Sequence, residues 1–204
     1  MVTALDALNR LRDGNRRFAT DHVSHGENAE SRREELTRGQ EPFAIILGCS
    51  DSRVPAEIIF DQGLGDLFVI RVAGNIVAAS QIASVEFAAE KFSTRLVVVL
   101  GHSQCGAIEE TVSQLRSPAE HNSGNFAAIM NFVRPSVEAV LDSSLDLDEL
   151  TARAVRENVR TSTEQMRHGL EIIERLERDE GLVIVGAEYS LESGLVDFFD
   201  GVPQ

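Results

Sequence analysis

The chain has 204 residues, 43% of them hydrophobic and 25% charged, with 33 acidic against 19 basic side chains and a formal net charge of −14. These proportions fit a single globular domain with a real core and exclude a disordered tail or a collagen-like chain. An acidic surplus is repelled on average by phosphate surfaces, so neither nucleic acid nor an anionic membrane is an expected partner; a local positive pocket remains compatible with it.

Residues 2–20 set Leu5, Leu8, Leu11 and Phe18 at helical spacing. Ser31 with Glu34 three positions on is a capping-box pattern that opens a short helix to about Arg38. Between them Asp21–Glu30 is polar and reads as an arm or loop. The first 40 residues have no local strand to lie on, so a helical arm packing on a partner subunit is expected, ahead of a core spanning 41–204. From Phe43 the texture changes. Phe43–Gly48, Leu67–Val72, Leu96–Gly101 and Leu182–Gly186 are apolar, largely β-branched runs without polar alternation. Such runs are strands buried on both faces of a parallel sheet. Helical patterns fall between and after them, at Pro55–Asp61, Ser80–Phe92, Ala107–Leu115, Ala127–Leu141 and Leu147–Leu176, with loops at 116–125 and 142–148. The alternation predicts an α/β fold, a mainly parallel central sheet flanked by helices and joined by right-handed crossovers. Gly63-Leu64-Gly65 lacks a third glycine and reads as a turn. No run approaches the length of a membrane span, and the N-terminus lacks the pattern of a secretory signal, so a cytoplasmic protein is expected.

The two cysteines carry the chemical information. Cys49 opens Cys49-Ser50-Asp51-Ser52-Arg53, and Cys105 closes His102-Ser103-Gln104-Cys105; each motif follows the glycine that ends a predicted buried strand. In open α/β sheets ligands bind beyond the carboxyl ends of strands. Cys49, Asp51, His102 and Cys105 are therefore delivered to one sheet edge, and two thiolates, an imidazole and a carboxylate suit zinc better than a hard cation. A buried cysteine can also be a small hydrophobe, and a 49–105 disulfide is conceivable, though a reducing compartment disfavours it. The coincidence of both motifs at two strand ends favours a metal. Arg53 lies two residues from Asp51, close enough for its guanidinium to clamp the carboxylate with paired hydrogen bonds; a plain loop-tightening ion pair is the alternative.

Cys49–Arg53 continuing as Val54-Pro55-Ala56-Glu57, then Gly65-Asp66-Leu67-Phe68-Val69-Ile70-Arg71, then Gly101–Gly106, together resemble the β-class carbonic anhydrases. The likeness is close from about Gln40 to Ala107, looser through the N-terminal helices, Gly186–Tyr189 and Gly194–Phe199, and only general over 116–180. It implies that Cys49, His102 and Cys105 are zinc ligands and that the reaction is reversible hydration of carbon dioxide to bicarbonate and a proton. It implies further that Asp51, clamped by Arg53, orients the nucleophile, or becomes a fourth ligand in a closed state if the clamp opens. Gln40, Phe68, Phe87 and Gly106 would contact substrate, Phe87 from the partner of a dimer or dimer of dimers and in a place where tyrosine is often found. Some family members bind a regulatory bicarbonate with a tryptophan, an arginine and a tyrosine. The matching positions here are Ile46, Arg71 and Tyr189, so no such regulation is expected and Arg71 is read as a structural ion-pair residue. His22, His25, His121 and His168 sit in polar contexts and are expected at the surface. A hydrolase of carbonyl sulfide or carbon disulfide, and a non-catalytic zinc or thiol sensor, are the competing readings.

Overall fold

The structure is a computed structural model, and it describes residues 2–24, 29–117, 124–142, 144–168 and 171–203. Strands β1 (Ala44–Gly48), β2 (Leu67–Arg71), β3 (Leu96–His102), β4 (Val183–Tyr189) and β5 (Val196–Asp200) form a sheet of order β2-β1-β3-β4-β5. The first four are parallel and β5 runs antiparallel to β4. Every residue of β1 and β3 is buried. Alternate side chains serve opposite faces: Ala44, Ile46, Val98 and Leu100 belong to one core cluster, Ile45, Leu47, Val97 and Val99 to the other.

Helix α1 (Ala4–Ala19) and the short α3 (Ala56–Ile59) cover the first face, where Leu8 and Leu11 join Ile46, Ile59 and Phe60. Helices α4 (Ala79–Lys91), α7 (Leu147–Arg167) and α8 (Glu171–Glu180) cover the second, through Val85, Ala88, Val159, Met166, Ile173 and Leu176. Contact is close where α7 crosses two glycines. A Cβ on Gly101 or Gly186 would stand 2.6 or 2.8 Å from a methyl of Val159, so only the missing side chains let the helix sit there. A third apolar cluster joins the strand ends to α5 (Gly106–Arg116), α6 (Phe126–Val140) and α7, and it includes Cys49 and Cys105.

The structure departs from the sequence reading in four places. First, much of the apolar stripe of α1 has a place on its own sheet, with Leu8 and Leu11 buried and Leu5 left exposed, and Asn15 donates to the Ile59 and Gly194 carbonyls. Second, α2 (Ala29–Leu36) begins before Ser31, which lies inside its first turn rather than capping it. Third, the helix expected over Leu147–Leu176 is two, because the chain becomes extended at His168 (φ −117°, ψ 141°), next to Gly169, a poor helix former. Fourth, β5 is an unforeseen edge strand. Most of its residues are only partly buried, and its aspartates pair with α7: Asp197 with Arg156, Asp200 with Arg167. Of the expected surface histidines, His22 and His168 are exposed; His25 and His121 lie outside the described residues, as does most of the 116–125 loop. Among the described residues no helix is long and apolar enough to cross a membrane.

Candidate metal centre

From β1 the chain passes to β2 on one side, and β3 then pairs on the other side of β1. The crevice beyond the carboxyl ends of β1 and β3 is therefore where strand order reverses, the place where such sheets bind ligands. Cys49 is the first residue past β1, His102 the last of β3, and Cys105 precedes the first turn of α5. All three are buried, and one ligand atom from each lies within 4.8 Å of the others. Both cysteines are free thiols.

The donor chemistry fits a cation. His102 Nδ1 lies 2.9 Å from the Ser103 carbonyl, which can only accept, so Nδ1 carries the proton and Nε2 holds a lone pair. That Nε2 is buried and has no hydrogen-bond partner. Hydrogen bonding from Cys105 pulls the Cys49 thiol well below its usual range against the opposing effect of burial, with backbone N–H groups of Asp51 and Gly74 helping; Cys105, donor to that thiolate and buried, is pushed well up. A divalent cation would let both ionise and would occupy the lone pair of Nε2. For Cys105 the amides of Ala107 and Ile108 at the start of α5 already favour the thiolate.

Asp51 and Arg53 form the expected clamp. Arg53 Nε donates to Asp51 Oδ1 at 2.9 Å and Nη2 to Oδ2 at 2.8 Å, while the Arg53 amide adds a third bond to Oδ1 at 2.9 Å. Those bonds, Arg53's side chain first, hold the Asp51 carboxyl well below the usual carboxylate range. Oδ2 stands 4.0 Å from His102 Nε2, beside the donors without joining their cluster.

Three further contacts had no signal in the sequence. Among the described residues of the single chain Arg71 is in no ion pair; it pins the Cys49 loop, donating from Nε to the Cys49 carbonyl (3.0 Å) and from Nη2 to the Asp51 carbonyl (2.6 Å). Arg53 Nη2 also donates to the Gln104 carbonyl at 3.1 Å and so ties the two motif loops together. Glu192, on the β4–β5 turn, accepts from Ser103 Oγ and Gln104 Nε2.

The residues expected at substrate are dispersed in the single chain. Gly106 opens α5 beside Cys105, and a Cβ there would meet nothing within 4 Å, leaving open space. Phe68 and Phe87 meet each other instead, with ring centroids 6.2 Å apart, and both pack on Phe92. Phe87 remains half exposed beside the free edge of the sheet. Gln40 is exposed in a groove with Leu36, Gly39 and Leu64, away from the metal donors. Ile46 is fully buried in the core, and Tyr189 packs near Phe18, so neither offers an anion pocket of its own.

The family model for carbonic anhydrase matches residues 44–196, which contain both metal motifs and all four parallel strands. This chain belongs to that family. A carbonic anhydrase of Mycolicibacterium smegmatis is 40% identical over 94% of this chain and 91% of its own length, and carbonic anhydrase 2 of Mycobacterium tuberculosis is 38% identical over 92% and 89%. Among solved structures, the β-carbonic anhydrase CcaA superposes with a TM-score of 0.74 at 27% identity, covering 97% of this chain and 92% of that one. The β-carbonic anhydrase CafA of Aspergillus fumigatus shares the fold at a TM-score of 0.76 and 24% identity, covering 97% and 91%. As a carbonic anhydrase the chain is an enzyme of a lyase family, and its Cys49–His102–Cys105 cluster is one that could hold a metal.

Proposed function

We propose that this carbonic anhydrase is zinc-dependent and catalyses the reversible hydration of carbon dioxide, in which water oxygen adds to the carbon and a proton is released with bicarbonate. The carrying observation is the convergence of two free thiols and an orphaned imidazole Nε2 beside a carboxylate that a guanidinium holds aside. Cys49, His102 and Cys105 would hold the zinc, which when bound supplies the Lewis acidity that makes water a nucleophile near neutral pH. Asp51, ionised throughout the working range, accepts a hydrogen bond from the attacking oxygen and so aims its lone pair at the substrate carbon. Arg53 keeps Asp51 from swinging onto the metal as a fourth ligand. A closed structural site would have no use for such an orienting pair, and this argues against a sensor module.

Gln40, Phe68, Phe87 and Gly106 complete the substrate pocket in our reading, with the open space at Gly106 nearest the metal donors. Gln40 and Phe87, exposed on their own chain, act across the interface of a dimer or dimer of dimers; relatives from Sordaria macrospora are described as tetrameric. We place the enzyme in the cytoplasm. The test is elemental analysis with stopped-flow hydration assays on the same preparation. About one zinc per chain and hydration far above the rates for carbonyl sulfide or carbon disulfide are expected. Much less than one zinc with activity intact, or faster turnover of a sulfur gas, would overturn the reading.

A further inference from the structure

Ser103 and Gln104, the two residues between the metal donors His102 and Cys105, are held by a single carboxylate from elsewhere in the chain. Glu192 accepts from Gln104 Nε2 at 2.6 Å and from Ser103 Oγ at 3.1 Å, and Ser190 Oγ donates to it at 3.0 Å within the turn. The loop it grips needs holding. Gln104 has a φ of +55°, left-handed backbone that a non-glycine residue adopts only under constraint. That conformation presents the Gln104 carbonyl to Arg53, the residue that clamps Asp51. Ser103 is the other branch: its carbonyl accepts from His102 Nδ1 and thereby fixes the imidazole with Nε2 facing the thiols. Its hydroxyl accepts from the Leu191 amide at 2.9 Å, and its own amide donates to the Tyr189 carbonyl at 2.9 Å.

We propose that Glu192 is a positioning residue of the metal centre, latching the β4–β5 turn onto the 103–104 backbone so that His102 and the Arg53–Asp51 clamp both keep their geometry. It touches neither donor atoms nor substrate, and acts only through Ser103 and Gln104. Partners of this outer kind fix ligand orientation, and their loss weakens metal binding on the order of tenfold or more. The inference rests on the zinc-hydratase reading above for its effect on turnover; its effect on metal retention does not depend on the reaction.

The experiment compares zinc-loaded wild type with Glu192→Ala, Glu192→Gln, Gln104→Ala and the Glu192→Ala/Gln104→Ala pair. Zinc release to a chromogenic chelator is followed alongside kcat and KM for hydration. Glu192→Ala should release zinc on the order of tenfold faster and lose several-fold in kcat with little change in KM. Glu192→Gln keeps an acceptor oxygen and should recover part of both. The double variant should be little worse than Glu192→Ala alone, because both substitutions break one contact. Wild-type release from Glu192→Ala, or multiplying effects in the double variant, would overturn the proposal. So would equal losses of thermal stability and function in Glu192→Ala and Glu192→Gln, which would make Glu192 a staple of the turn alone. Faster release with kcat unchanged would overturn its reach to Asp51. An inactive wild type that still releases zinc faster on losing Glu192 would sink the hydratase reading and leave the latch standing.

Discussion

Asp51 shows how much one side chain's surroundings decide. Its pairing with Arg53 lowers the carboxyl below the ordinary carboxylate range, so the bonds it makes are present above that range and lost only as pH falls through the lowered folded value. It therefore does not titrate between neutral and alkaline pH. Hydration should nonetheless rise over that span, because two thiolate donors leave the nucleophile harder to ionise than three imidazoles would. A flat profile from about pH 6.5 to 9, the span between reference histidine and cysteine pKa values, would refute that cause. Asp51→Asn and Arg53→Ala should each retain zinc while losing on the order of 10²-fold in kcat. An amide cannot accept the same set of bonds, and without the guanidinium the carboxylate is free to take the metal. Near-wild-type turnover with both variants would reduce the pair to loop structure. Arg71 is similarly committed: its Nε and Nη2 donate to the Cys49 and Asp51 carbonyls, and the neighbouring Ile46 has no donor to offer. Bicarbonate should then act as substrate and product only. Sigmoidal inhibition on exchanging chloride for bicarbonate at fixed pH and ionic strength, corrected for the back reaction, would contradict this.

At the scale of elements, close backbone approach sets what can be changed. Gly14 of α1 lies against α3 so tightly that a Cβ would fall 1.8 Å from the Phe60 carbonyl oxygen. Alanine in a helix is worth about 1 kcal/mol over glycine, but the clash is with backbone that cannot rotate away, and overpacking costs about 1–3 kcal/mol. Gly14→Ala should therefore destabilise the protein, read as a lower urea midpoint, despite its better helix propensity. An unchanged or raised midpoint would mean that α1 is not seated on its own chain as described. The β5 edge is held by charge and stacking. The Arg156 guanidinium lies 3.8 Å from the centroid of the Phe199 ring and pairs with Asp197, which explains why a half-polar segment runs as a strand.

For the whole molecule, a metal held at the proposed centre would join two loops carried by separate strands, so its removal should be felt as stability as well as activity. An orphaned buried donor or acceptor costs about 1–3 kcal/mol, and the His102 Nε2 is one such group. At roughly 2–4 °C per kcal/mol for a chain of this size, stripping zinc with a chelator should lower Tm by at least about 2 °C, and zinc should restore it. Calorimetry showing identical transitions with and without metal would argue against a cation at this centre.

The sequence alone determined the parallel core and the residues that cluster at its edge, Cys49, His102 and Cys105. Strands buried on both faces are apolar throughout, and cysteine and histidine at strand ends suit a borderline-soft cation, so both leave marks that do not depend on distant partners. The same holds for the Asp51–Arg53 clamp, which spans two residues of one loop. Contacts between remote segments were decided only by the tertiary structure. Nothing local marks Arg71 as a donor to the Cys49 loop, since its role follows from the register that sets Gly48 opposite it. Nor does Glu192 announce a hold on Gln104, 88 residues earlier. Strand β5 escaped notice for a related reason: Val196-Asp197-Phe198-Phe199-Asp200 is neither an unbroken apolar run nor a regular alternation, and its pairing with α7 exists only once both are folded.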